Sequence, residues 1–155
     1  MVMSVPESAI GLELAPVRSV VEAGRLRFFA KAIGQDSPLY SNQSAAREAG
    51  YRDLPVPPTF LFGLKLDAPD PFRWLLDLGV DFRYVLHGTQ KFTYHRMAFA
   101  GDELLMQSRI ADVTQKKAGA LEFIVLETEV SRGDEPIATL LETIVIRHPE
   151  LEVAA

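Results

Sequence analysis

Few side chains in this sequence can move a proton near neutral pH, and the stretch that looks most like a catalytic loop is short of them. Gly34-Gln35-Asp36-Ser37-Pro38-Leu39-Tyr40 sets an amide, a carboxyl and a phenol around a Ser-Pro turn. An amide does not titrate in water, and a phenol does so only near pH ~10, whereas general acid–base catalysis works best with a pKa close to the working pH. Gln35 and Tyr40 therefore make a poor base. Asp36 is the one carboxyl in the loop, and His87, just before Gly88, is the histidine best suited to proton transfer. The three histidines, His87, His95 and His148, have no His-x-His or His-x-x-x-His spacing, so no metal is expected. Cysteine is absent, which removes disulfides, thiolate metal sites and cysteine nucleophiles together. No motif calls for a cofactor, and none is expected.

The 155 residues suit one domain over residues 1–155, with enough chain to bury a core. A net charge of −5 argues against a general nucleic-acid surface. The sequence shows no basic segment leading into an apolar run at its start, and no window of 18 apolar residues. A soluble cytoplasmic protein with no membrane partner is the expectation.

The elements that would position these groups change in type along the chain. From Gly24 to Gly50 the pattern is helical, with Leu26, Phe28, Phe29, Ala32 and Ile33 at spacings of three and four. Ser37-Pro38 breaks it, Ser41 or Asn42 can cap a short helix through Ala45, Ala46 and Glu48, and Gly50 fits its end. Pro58 can open a further helix, Thr59 to Leu66, apolar on nearly every side and so expected to be buried all round.

After Asp81 the pattern is strands: Phe82 to Arg96, Glu103 to Gln115, Leu121 to Ser131 and Pro136 to Arg147. Lys116-Lys117-Ala118-Gly119 and Arg132-Gly133-Asp134-Glu135 are hairpin loops, with a solvated basic pair in the first. Phe123 and Val125 mark one strand face, with Glu122, Glu127 and Glu129 across from them. Gly88 within a strand suggests a bulge or a close backbone approach. Gln90 and Thr93 are expected to point inward or outward as a set.

The chain resembles the MaoC-like (R)-specific enoyl-CoA hydratases and (3R)-hydroxyacyl dehydratases. The likeness runs from about Gly11 to His148. It rests on Phe29-Ala30-Lys31-Ala32-Ile33-Gly34, the Asp36-to-Tyr40 loop, Gly50-Tyr51, Pro57-Pro58-Thr59-Phe60, Leu86 through Arg96, and Ala100-Gly101-Asp102. It is most similar to the N-terminal-type dehydratase domain, found in double-hot-dog hydratases and as separate subunits of mycobacterial (3R)-hydroxyacyl-ACP dehydratases. The loop resembles the family's G-D-x-N-P-L-H signature. Aligned on Pro38-Leu39, Gln35 stands where the family keeps Asp, and Tyr40 where it keeps His.

Pattern and resemblance together imply an α+β hot-dog fold, an antiparallel sheet wrapped around a central apolar helix. They also imply a homodimer, or a heterodimer with a catalytic MaoC-like subunit that keeps the Asp and His. The resemblance implies an acyl-CoA or acyl-carrier-protein thioester ligand, its chain lying along the buried helix. Candidate substrate-binding residues are Pro58, Phe60, His87, Gly88, Gln90 and Arg96.

Each signal has a plainer reading. Asp36 is a substitute carboxylate or a turn residue bonding the backbone ahead. Tyr40 is a proton donor to a thioester oxygen or a half-buried ring with its hydroxyl satisfied. His87 is catalytic, structural or at an interface. Arg96 pairs with a phosphate, or with Asp102 or Glu103. Phe60, Phe62, Phe72 and Trp74 are core rather than pocket lining.

Overall fold

Three of the four strand runs appear nearly as read. The computed structural model describes residues 4–152; residues 1–3 and 153–155 of the expected domain lie outside it. Val17–Val20 (β1), Val85–Tyr94 (β2), Glu103–Lys116 (β3), Leu121–Arg132 (β4) and Glu135–Arg147 (β5) form one antiparallel sheet, ordered β1-β3-β4-β5-β2. The helices are Ala23–Ala32 (α1), Gln43–Glu48 (α2), Leu61–Leu64 (α3), Arg73–Asp77 (α4) and Pro149–Glu152 (α5). This is the expected α+β hot-dog architecture. β1 and α4 are too short to carry a period of their own. Phe82–Tyr84 is a single 3-10 turn, so the first long strand begins only at Val85.

One face of the sheet turns inward. Leu104, Met106, Ser108 and Ile110 of β3 are buried, as are Ile124, Leu126, Thr128 and Val130 of β4 and Leu140, Glu142, Ile144 and Ile146 of β5. The facing expected for β4 is corrected here: Phe123 and Val125 lie on the outer face with Glu127 and Glu129, while Glu122 points in. Glu122 is tolerated there because it accepts from the Val5 N–H at 3.0 Å and meets His148 Nε2 at 3.4 Å, tying the two ends of the chain together.

Two apolar clusters fill the inner face. One gathers Leu26, Leu54, Phe60, Leu61 and Leu64 against Leu104, Met106 and Leu140. The other gathers Leu75 and Val80 against Ile110, Ile124 and Ile144. The central helix is shorter than its apolar run suggests. α3 covers four residues and passes into a 3-10 turn at Lys65–Asp67; Phe62 is half-buried and Leu66 exposed. Gly63 weakens the helix, Pro69 limits it, and only one flank meets the sheet. α1 also presents a narrower apolar stripe than read. Leu26 and Ala30 are buried, whereas Phe28 is 76% exposed and Ile33 lies outside.

Both α1 and α2 end on a left-handed glycine. Gly34 (φ 70°) lets Gln35 N–H reach Ala30 O at 2.8 Å, and Gly50 (φ 92°) lets Tyr51 N–H reach Ala46 O at 3.0 Å. Asn42, of the two candidates, caps α2 through the Ala45 N–H.

Gly88 forms the anticipated bulge: the β2–β5 register shifts between His87 and Thr89. A Cβ there would stand 2.9 Å from Val145 Cγ2 and 3.0 Å from Thr143 O. Gly88→Ala should therefore cost about 1–3 kcal/mol in urea unfolding. Protection of β2 amides from hydrogen exchange should fall more than that of β3 and β4.

Candidate functional site

The loop between α1 and α2 is held by Gln35. Gln35 Oε1 accepts the Ser37 N–H at 3.1 Å, so Gln35, not Asp36, makes the bond to the backbone ahead. The residue two beyond Gln35 is Ser37, with an N–H to give, whereas two beyond Asp36 is Pro38, which has none. Asp36 is exposed and has no hydrogen bond among the described residues, so it faces neither Tyr40 nor a histidine. Pro38–Tyr40 is a single 3-10 turn that directs the half-buried Tyr40 ring into a cavity of about 300 Å³. The Tyr40 hydroxyl, expected to be satisfied if structural, has no partner among the described residues.

That cavity brings together Tyr40, Pro58, Leu61, Tyr94, His95 and Arg96. Thr59, beside it, has φ 73°, a left-handed conformation uncommon outside glycine. Its N–H donates to Tyr94 Oη at 2.9 Å, which fixes the entry to α3. Arg96 lies 3.7 Å from Glu135, so its acidic neighbour is neither of the two expected. Arg132 and Arg52 hold Asp102 instead, and Arg18 approaches Glu103. His95 Nε2 is 3.0 Å from Thr139 Oγ1.

Of the candidate binding residues, Pro58 and Arg96 thus share a cavity with Tyr40. Phe60 is core, packed edge-on against Phe29 at 5.3 Å. His87, Gly88 and Gln90 stand elsewhere: six residues lie between His87 and Tyr94, roughly 20 Å of strand.

His87 and Gln90 converge on a different group. The bulge keeps both on the inner face, Gln90 opposite Glu142 and His87 opposite Ile144. Gln90 and Thr93 do not act as a set, because three residues apart on a strand means opposite faces: Thr93 pairs with Thr139 on the outer side. His87 Nδ1 is 3.5 Å from Glu142 Oε1, its ring edge-on to Phe62 at 5.4 Å. Lys65 Nζ binds Glu142 Oε2. Gln90 Oε1 is buried with no partner among the described residues. Glu142 had a sequence signal, since counting by twos from Leu140 puts it inward with the apolar positions. Lys65, hidden in an apolar run, and Tyr94 had none as strong.

A second cavity of about 460 Å³ lies over this region; the exposed Phe72 lines it, and Trp74 both lines it and packs against the second core cluster. Among the described residues no cluster of three His, Asp or Glu could hold a metal, and no helix is long and apolar enough to cross a membrane.

Residues 8–140 match the FAS1-like dehydratase domain region. The chain belongs to the FAS1-like dehydratase family. A UPF0336 protein of Saccharopolyspora erythraea is 36% identical over 148 residues, covering 94% of this chain and 93% of that one. The fold is similar to the C-terminally truncated HadBC (3R)-hydroxyacyl-ACP dehydratase complex of Mycobacterium tuberculosis. There the TM-score is 0.75 and the identity 26%, over 88% of this chain and 96% of that chain. It is also similar to the ChsH1-ChsH2 complex of the same organism, with TM-score 0.70 and 22% identity over 91% and 90% of the two chains. Family and fold thus agree with the MaoC-like resemblance.

The smaller cavity depends on Asp102. Burial alone would raise its pKa, but hydrogen bonds from Arg52, the Phe99 N–H and Arg132 outweigh that and hold it below the usual carboxylate range. A depressed folded-state pKa adds stability above the unfolded value near ~4, which is lost as pH falls through the folded value. Asp102→Asn should cost about 3 kcal/mol at pH 7. Urea unfolding at pH 7 and pH 2.5 should show the gap to wild type narrowing in acid.

Proposed function

We propose that this chain is the acyl-thioester-binding subunit of a (3R)-hydroxyacyl-CoA/ACP dehydratase or (R)-enoyl-CoA hydratase. Its acid–base pair is supplied by a partner hot-dog subunit. One observation carries the reading. The loop, the turn at Pro38 and the adjoining cavity are in place, yet Gln35 is engaged with the Ser37 N–H and the Tyr40 hydroxyl has no hydrogen-bond partner among the described residues.

Hydration of an enoyl thioester needs water activated by a base, a proton delivered to the α-carbon, and stabilisation of the enolate-like oxygen. This chain offers shape, the unpartnered Tyr40 hydroxyl and the Arg96 guanidinium at the cavity edge. The latter suits a phosphate of CoA or of a carrier's pantetheine arm. Proton transfer falls to the partner. β2 has β5 on one side only, leaving the other edge of the sheet open with Leu86 exposed, which supports docking of a second subunit there. The two-component names of the HadBC and ChsH1-ChsH2 complexes support a heterodimer over a homodimer.

A second reading, a self-sufficient homodimeric hydratase, draws on His87, whose Nδ1 faces Glu142 as an orienting carboxylate would. In one chain His87 is too far along β2 to serve the cavity beside Tyr40. A non-catalytic acyl-CoA binding module is the third.

The test is hydration of crotonyl-CoA and a longer trans-enoyl-CoA, followed by loss of the conjugated thioester absorbance. The pure chain should show no turnover, and addition of a MaoC-like partner with an intact Asp/His loop should restore it. Gln35→Asp with Tyr40→His should give the chain alone a measurable turnover, about a hundredfold above the rate without protein, the lower range of acid–base catalysis. Robust turnover by the wild-type chain alone would overturn the proposal. Binding of acyl-CoA without turnover under any pairing would leave the binding module.

A further inference from the structure

The larger cavity is separate from the one beside Tyr40 and has a chemistry of its own. Its walls are apolar: Leu14 from the N-terminal segment, Trp74 and Leu78 from α4 and the turn after it, and Leu126 and Ile144 from the inner sheet face. Among them sits the ion pair of Lys65 with Glu142, both side chains nearly buried, whereas the second pair on the lining, Arg73 with Asp77, is exposed. Ser108, also on the wall, shares a 2.8 Å hydrogen bond with Thr128. Ser108, Thr128 and Glu142 occupy inward strand positions that apolar residues fill on either side, in the two core clusters.

The pair leaves hydrogen-bonding capacity facing the cavity. An ammonium carries three donors, and Lys65 directs one to Glu142 and lies over the Phe62 ring at 5.2 Å. Among the described residues it has no other partner. A neutral oxygen can accept one of the remaining N–H groups without adding charge to a desolvated site. A carboxylate would have to share Lys65 with Glu142 and would meet Glu13, Asp70 and Asp77 on the same lining, where Arg73 is already paired with Asp77. An ammonium would face Lys65. The volume, about 460 Å³, lies within the range of small-molecule sites.

We infer that this cavity binds an elongated apolar molecule ending in a neutral oxygen, a hydroxyl or a ketone, with that oxygen accepting from Lys65. The site does not depend on the hydro-lyase reading, because nothing in it addresses a thioester.

Trp74 is the single tryptophan of the chain and lines the cavity, so its fluorescence reports occupancy directly. The experiment titrates the full chain with 1-decanol and, separately, with sodium decanoate at pH 8. Decanol should give a saturable change in Trp74 emission, and decanoate should bind at least tenfold more weakly. Lys65→Met with Glu142→Leu replaces the pair by apolar side chains of similar size, a change buried pairs often tolerate. It should weaken decanol about tenfold and erase the preference over decanoate. Ala15→Phe, at an exposed position on the lining, should obstruct the cavity without disturbing the core, and serves if the double variant does not fold.

No saturable response to decanol would overturn the inference. So would equal affinity for decanoate, or decanol binding unchanged in Ala15→Phe. Because decanol carries no thioester, each of these results stands apart from the outcome with enoyl-CoA.

Discussion

The buried carboxylate of Asp102 is the contact on which the arrangement around the smaller cavity depends. It lies at the crossing between the edge strand and β3, where the chain must turn while five segments meet. Its side chain takes hydrogen bonds from Arg52, Arg132 and the Phe99 N–H, and its carbonyl accepts from Val21 N–H just after β1. The same turn exchanges bonds with the Leu54–Val56 segment through Ala98 and Ala100. That segment leads directly into Pro58, the left-handed Thr59 and α3. A buried charge is stable only when fully paired, so Asp102 demands these partners at once. In meeting that demand the chain sets where α3 begins and where Tyr94 must reach to hold Thr59.

The inner face of the sheet is not uniformly apolar, and this divides the molecule. Between the two core clusters run Ser108 and Thr128, then Glu142 with Lys65 and His87. Apolar side chains cannot close tightly over such groups without leaving them unpaired, so the covering segments stand off the sheet, and the larger cavity lies there. The bulge at Gly88 serves the same row. Were β2 paired regularly through Gly88, His87 would fall on the opposite face from Gln90 and Phe92, and Glu142 would lose its imidazole neighbour.

Much of the sheet was legible because long strands repeat one signal many times. The ends of β3, β4 and β5, both hairpin loops and the Gly88 bulge lie within a residue or so of where composition put them. The helical half was less so. α1, α2 and α3 are short, and a stripe of two or three contacts is easily misassigned, as with Phe28 and Ile33. The run at Thr59–Leu66 reads as a wholly buried helix because apolar residues crowd it, yet burial depends on what faces it, and Leu66 opens to a cavity that no local pattern records. The loop was legible as a frame with altered occupants. That Gln35 binds the Ser37 N–H was overlooked, although the residue two beyond Asp36 is Pro38, which has no N–H to give, whereas two beyond Gln35 is Ser37.

The shape of the Gly34–Tyr40 loop has a physical explanation that involves no titrating group. Gly34 is needed to end α1, Pro38 to start the next turn, and Gln35 satisfies a backbone N–H that would otherwise be left to solvent. None of these duties requires a titratable group. The constraints that keep the loop's shape are therefore separable from those that make it catalytic, and the first set can persist when the second is relaxed. The cavity beside it has the same character, being shaped by Pro58, Leu61 and Tyr94 through packing and one main-chain hydrogen bond. The loop and the cavity beside it therefore keep their shape without a titrating pair at positions 35 and 40, which is the condition that the proposed division of labour with a partner subunit sets.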